Sequence, residues 1–204
     1  LRRDRPDYFR DVITLEQLDA LVTSTAIPAT VFNLAEGDRP LPPATYSAGG
    51  AVDHHRALQL HERGATIILR SLDQFSPTLC RLRAAAEELF GCEAQINVYL
   101  TPPGKKSTPP HWDTHDLFIL QAHGDKRCKL CRRERTPPLA AERSAVGSDV
   151  VREQYDEIVL RAGDTMYLPR GVIHEPVADS YSAHVSLGLH HARWVDVLTE
   201  ALRI

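Results

Sequence analysis

Beyond Glu93 the apolar residues fall into short runs of period two, each cut off by proline or glycine. "AQINVYLTPP" reads as a strand stopped by its prolines, and after the polar loop "GKKST" the stretch "HWDTHDLFILQAHGDKRCKL" reads as a strand, a glycine turn and a second strand. From Glu157 onward, "IVLRAGDTMYLPRGVIHEPVADSYSAHVSLGLHHAR" gives further short strands broken at "AGD", "PRG" and "ADSY". No helical crossovers separate these runs, so the spacing predicts a barrel or jelly roll and not a βαβ sheet.

The remainder flanks that core. Residues 1–91 are mixed: "TLEQLDALVTS" carries a Thr cap with Gln three positions on, "VDHHRALQLHERG" is a helix closed by Gly64, and "ATIILRSL" is a buried β segment. "SPTLCRLRAAAEELFG" shows a Ser cap, a first-turn Pro, an apolar stripe and a terminal Gly91, the clearest helix signal in the chain. His54 and His61 are seven apart and share a helix face with no third ligand type beside them, so a surface or packing role is expected for both and for His55. The polar, proline-containing stretch near 132–157 reads as a surface insertion in the jelly-roll core of 92–190, and residues 191–204 as a closing helix.

Composition narrows the function. At 204 residues and 43% hydrophobic content the chain can bury one substantial core, which predicts a single domain over 1–204. A formal charge of -3, from 24 basic and 27 acidic residues, gives no reason to expect nucleic-acid binding. No apolar run approaches the roughly 20 residues that span a bilayer, and no signal-type segment follows the start, so a cytoplasmic, membrane-free protein is expected. The chain begins at Leu and ends within a helical pattern, which leaves room for residues beyond either end. Four cysteines are too few for a disulfide scaffold. Cys128 and Cys131 form a C-x-x-C, but three apart on a strand they face opposite ways, which disfavours joint ligation.

"TPPHWDTHDLF" holds the densest chemistry. On a strand His111 and Asp113 project to one face, as a two-point clamp, and "LPRGVIHEP" offers His174 as a third ligand. Two imidazoles and a carboxylate on one face of an octahedron leave the opposite positions open, the arrangement of non-haem Fe(II) oxygenases. The bland reading is a strand cap, an Arg-paired Asp and a turn filler, since H-x-D alone is common.

"NVYLTPPG", "PPHWDTHDLFILQ", "AGDTMYLPRGVIHE" and the closing "HVSL" strand, in this order, resemble the JmjC-type ribosomal oxygenases. These are a branch of the cupin superfamily that hydroxylates protein side chains. The resemblance implies a mainly β fold with flanking helices, built on a double-stranded β-helix that holds Fe(II) and 2-oxoglutarate. It implies His111, Asp113 and His174 as iron ligands and Lys126 as the partner of the distal carboxylate of 2-oxoglutarate. Asn97, Tyr99, Thr108, His184 and Ser186 match or adjoin positions that line the same pocket. The implied partners are a protein or peptide, a ribosomal protein presenting His or Arg among the candidates, and the small-molecule cosubstrates 2-oxoglutarate and O2.

Departures from the family pattern bear on the substrate side. Trp112 stands where the branch has Tyr, and Cys128 where an aromatic follows the lysine motif. The chain also stops soon after the jelly-roll helix, so the homodimer of full-length relatives is expected only with further C-terminal regions. His115 supports a competing reading. On an unbroken strand it shares a face with His111 and Asp113, and a cupin with more protein ligands binds Mn, Zn or Ni and acts on a small molecule without 2-oxoglutarate. The sequence is also compatible with a 2-oxoglutarate oxygenase acting on a small molecule, and with a binding module that lost turnover.

Overall fold

The computed structural model describes residues 4–23, 27–37, 39–106, 108–131, 155–192 and 194–202. The strands are β1 (Phe32–Glu36), β2 (Arg39–Pro40), β3 (Ser47–Ala48), β4 (Ala51–Val52), β5 (Thr66–Leu69) and β6 (Glu93–Thr101). They continue with β7 (Asp116–His123), β8 (Lys126–Cys131), β9 (Tyr155–Leu160), β10 (Thr165–Leu168), β11 (His174–Ala178) and β12 (Ser182–His190). A seven-stranded sheet runs β10-β7-β12-β6-β5-β1-β2, and a three-stranded sheet runs β11-β8-β9. Every pairing in both is antiparallel, as the short interrupted runs predict.

Helices α1 (Leu15–Thr23), α2 (His54–Glu62), α3 (Pro77–Phe90) and α4 (Trp194–Ala201) flank the sheets. Their ends follow local chemistry. At α1 the Thr14 N–H donates to Gln17 Oε1 at 2.9 Å and the Gln17 N–H to Thr14 Oγ1 at 3.3 Å, a reciprocal capping box. Asp53 caps α2 by accepting from the Arg56 N–H, and Ser76 caps α3 by accepting from the Leu79 N–H. Gly91 closes α3 at φ 64°, a left-handed conformation that favours glycine. Among the described residues no helix is long and apolar enough to cross a membrane.

Three expectations need correction. The strand predicted from His111 begins only at Asp116. The segment ahead of it is held by the turn that precedes β11, with the Gly171 N–H donating to the Asp113 carbonyl and the Arg170 N–H to Asp116 Oδ1. The insertion near 132–157 lies largely outside the described residues, but its last residues, from Tyr155, already belong to β9. The N-terminal region also contributes more sheet than "ATIILRSL" alone. β1 joins the large sheet beside β5, with Phe32 opposite Leu69. Five residues carry little periodicity of their own, and it is the partner 37 positions away that makes them a strand.

One large core joins the N-terminal helices to the big sheet, with Leu18 and Val22 of α1, Leu79 of α3, Phe32, Leu69, Ile96, Val98 and Val185 all buried. A second cluster, including Leu117, Ile119, Cys128, Leu160 and Met166, fills the space between the two sheets. His61 belongs to the scaffold: its Nδ1 bonds the Ala65 carbonyl at 2.7 Å and its Nε2 the Tyr181 hydroxyl at 3.1 Å. Because Phe32 is 0% exposed, Phe32→Ala is expected to lower the unfolding free energy by about 3–5 kcal/mol. Ser76→Ala should cost only about 1 kcal/mol; chemical denaturation of both variants measures the contrast.

Candidate metal centre

The two segments that carry the ligand-type residues meet through their backbones. The His111 N–H donates to the His174 carbonyl at 3.1 Å and the His174 N–H to the His111 carbonyl at 2.8 Å, an isolated antiparallel bridge. Directly opposed residues bring their side chains together, and the imidazole centroids lie 4.2 Å apart. Each ring is oriented by its own chain two residues upstream. His111 Nδ1 lies 2.8 Å from the Pro109 carbonyl and His174 Nδ1 3.1 Å from the Val172 carbonyl. Those carbonyls only accept, so both Nδ1 atoms donate, and Nε2 is the atom each ring has left to offer a metal.

The two Nε2 atoms converge on one carboxylate oxygen. Asp113 Oδ2 is 4.0 Å from His111 Nε2 and 3.8 Å from His174 Nε2. All three ligand atoms lie within 4.8 Å of one another, the one such group among the described residues. Burial, with the neighbouring His111 ring second, pushes His174 down to about 4. It is therefore a neutral imidazole at ordinary pH, the form that binds a metal.

The cavity around this group measures about 240 Å3 and is lined by every predicted site residue: His111, Asp113, His174, Lys126, Asn97, Tyr99, Thr108, His184 and Ser186. Strand register accounts for part of this. His184 sits opposite Tyr99 and Ser186 opposite Asn97 across β12 and β6, so the two pairs line one face in successive rungs.

Lys126 occupies the dry end. It is 1% exposed, and its Nζ donates to His184 Nδ1 at 2.7 Å. No carboxylate pairs with it among the described residues. Burial lowers its pKa to about 7. Burial first, and then the Lys126 charge, hold His184 well below the usual imidazole range, so the ring stays a neutral acceptor. The His184 ring stacks on Tyr99 at 4.8 Å and 7°, and burial raises the Tyr99 phenol, which remains a hydroxyl donor. The Thr108 hydroxyl is buried without a hydrogen-bond partner among the described residues.

Several lining residues escape sequence reasoning: Arg70, Gln95, Leu117, Ile119 and Pro176. Gln95, Leu117 and Ile119 were within reach, since Gln95 precedes Asn97 by two on the same strand and Leu117 and Ile119 alternate along β7. Arg70 carried only the weak signal of a charge closing a buried strand. Next to it Ser71 sits at φ 48°, a conformation held by the Asn97 Oδ1 that accepts its N–H at 3.0 Å and by the Gln95 amide that donates to its hydroxyl at 3.0 Å. Asn97 thus lines the cavity with its carbonyl oxygen already bonded.

His115 lines the cavity but is not in the three-atom group. Without a continuous strand from 111 to 115 the shared-face expectation lapses, and the His115 ring stacks on His190 at 4.4 Å. Trp112 points away from the group and packs buried against Ile173 and Cys131. Cys128 is buried in the intersheet core and its thiol is pushed up to about 12 by burial, so it is inert.

A family comparison matches residues 70–197 to the JmjC domain. The chain is 34% identical over 145 residues to ribosomal oxygenase 2 of Bos taurus, covering 69% of this chain and 31% of that protein. It is 27% identical over 212 residues to the bifunctional lysine-specific demethylase and histidyl-hydroxylase NO66 of Aedes aegypti, covering 97% and 32%. It spans about a third of the length of these relatives. Among solved structures, the ribosomal oxygenase YcfD of Escherichia coli in complex with cobalt and 2-oxoglutarate superposes with a TM-score of 0.59 at 17% identity. That match covers 94% of this chain and 48% of YcfD, and it shows that the two share a fold. With more than half of its length matched, and in the segment that carries the converging imidazoles, the chain belongs to the JmjC domain family.

Proposed function

We propose that the protein is an Fe(II)- and 2-oxoglutarate-dependent oxygenase that hydroxylates a side chain, His or Arg, of a protein substrate such as a ribosomal protein. The observation that carries this reading is one cavity that combines the His111, Asp113 and His174 ligand atoms with a buried amine lacking a carboxylate partner among the described residues. The donor set suits the metal, because two imidazoles and one carboxylate leave the other coordination positions open. The cavity also suits the cosubstrate: Lys126 and the unpartnered Thr108 hydroxyl are the groups a buried carboxylate needs. The oxygenase and hydroxylase activities for which the relatives are named, and the 2-oxoglutarate held by YcfD, support the same class.

When bound, iron and 2-oxoglutarate would supply C–H hydroxylation with O2 as the oxidant, one oxygen atom entering the substrate and the other entering succinate as 2-oxoglutarate loses carbon dioxide. The chain's own work is placement. The Pro109 and Val172 carbonyls hold the two imidazoles with Nε2 inward. Lys126 anchors the far carboxylate of the cosubstrate, while His184, stacked on Tyr99, keeps the amine in position. Leu117, Ile119 and Pro176 give the cavity apolar walls that exclude water from the reacting centre.

Asp113→Ala and His174→Ala are expected to weaken Fe(II) or Co(II) binding at least tenfold by calorimetry and to abolish succinate release. His115→Ala should leave metal affinity within about twofold, whereas a large loss would favour the many-ligand cupin. Lys126 gives a pH signature. Below about 7 the amine is charged and ready for a carboxylate; above it the neutral amine must take up a proton to pair. The dissociation constant of 2-oxoglutarate should therefore rise with pH above about 7, approaching about tenfold per unit. Lys126→Met should flatten that slope and cost about 2 kcal/mol or more of cosubstrate binding.

A further inference from the structure

Alternate residues of a strand point one way, and on β12 the inward face reads His184, Ser186, Gly188, His190, opposite Tyr99, Asn97, Gln95 and Glu93 of β6. This face is a track. It starts at the dry end with His184 against Lys126, passes Ser186 in the cavity, and ends at His190 in a second, wider cleft of about 820 Å3 that Glu93, Arg170 and His191 also line. His115 alone of the imidazoles lines both spaces.

Its ring lies over Gly188, where an added Cβ would come within 2.9 Å of imidazole Cδ2 and Nε2. Glycine at that rung is what lets the ring come this close to the strand. From there His115 stacks on the exposed His190 with centroids 4.4 Å apart and planes 28° from parallel. Two roughly parallel rings therefore form the wall where the outer cleft gives way to the cavity.

We propose that the outer cleft seats a polypeptide substrate and that the stacked His115–His190 pair selects its target residue, favouring a planar side chain, imidazole, guanidinium or phenol, over an aliphatic one. This deepens the oxygenase reading and rests on it. The sizes fit this division, since the outer cleft of about 820 Å3 is wider than the inner space of about 240 Å3 beside the ligand atoms. The selectivity follows from the wall, because a planar group gains contact and electrostatic attraction against a ring face that an aliphatic side chain does not.

The test uses fluorescein-labelled nonapeptides of Gly, Ser and Lys that differ only in the central residue, His, Arg, Tyr or Leu, with binding read by anisotropy. Wild type is expected to bind the three planar centres about three- to fivefold more tightly than Leu. His190→Ala should erase that preference and His190→Tyr restore it. Gly188→Ala keeps both imidazoles but pushes the His115 ring off the strand, and it should also weaken the preference; thermal melts check that each variant is folded. No binding by any peptide, no preference for planar centres in wild type, or a preference that survives His190→Ala overturns the proposal. Calorimetry of 2-oxoglutarate with Mn(II) on wild type separates the two readings: lack of cosubstrate binding with peptide selectivity intact removes the oxygenase reading and leaves the cleft assignment standing.

Discussion

Two backbone hydrogen bonds between His111 and His174 govern the centre of this protein. They join segments 63 positions apart in the chain, and they do so at the residues whose side chains must converge. Since the same peptide units also set the path to Pro109 and Val172, whose carbonyls hold the imidazole protons, one local geometry delivers ligand position and tautomer together. Asp113 is brought in by the neighbouring turn, where Gly171, at φ 84°, donates its N–H to the Asp113 carbonyl. A side chain at 171 would strain that left-handed turn and loosen the carboxylate from its place opposite the rings.

The other end of the cavity depends on exclusion of water. An amine buried beside a neutral imidazole and without a carboxylate partner among the described residues is costly to keep charged, which is why its pKa falls to about 7. Such an arrangement persists in a fold only if the packing around it is well supported, and the support is visible. Tyr99 and His184 stack across adjacent strands, within the long β6–β12 pairing that runs from Glu93 to Thr101. Under the proposed function, a carboxylate bound beside Lys126 would complete the group and remove that cost.

Much of this was legible in the sequence because period-two runs and glycine or proline stops are local signals. The jelly-roll class, the caps at Thr14 and Ser76, and the gathering of His111, Asp113, His174 and Lys126 around one cavity all follow from residues close in the chain or from motif order. What escaped depended on partners far away. β1 is a strand because β5 pairs with it, and Arg70 reaches the cavity because the Ser71 turn is clamped by Gln95 and Asn97. His115 misleads for the same reason: a strand through 111–115 looks continuous in the sequence, whereas bonds from Arg170 and Gly171 hold that segment out of the sheet until Asp116. The ring then turns to His190, and what reads as a spare ligand becomes part of the wall between cavity and cleft.

The central claim, that this cavity holds Fe(II) and 2-oxoglutarate together, is tested most directly by anaerobic absorption spectroscopy. A visible metal-to-ligand charge-transfer band, the mark of a 2-oxo acid chelating Fe(II), is expected only when protein, metal and cosubstrate are all present, and it should saturate at one of each per chain. Absence of the band with Fe(II) demonstrably bound would contradict the claim, as would a band of undiminished strength in Asp113→Ala.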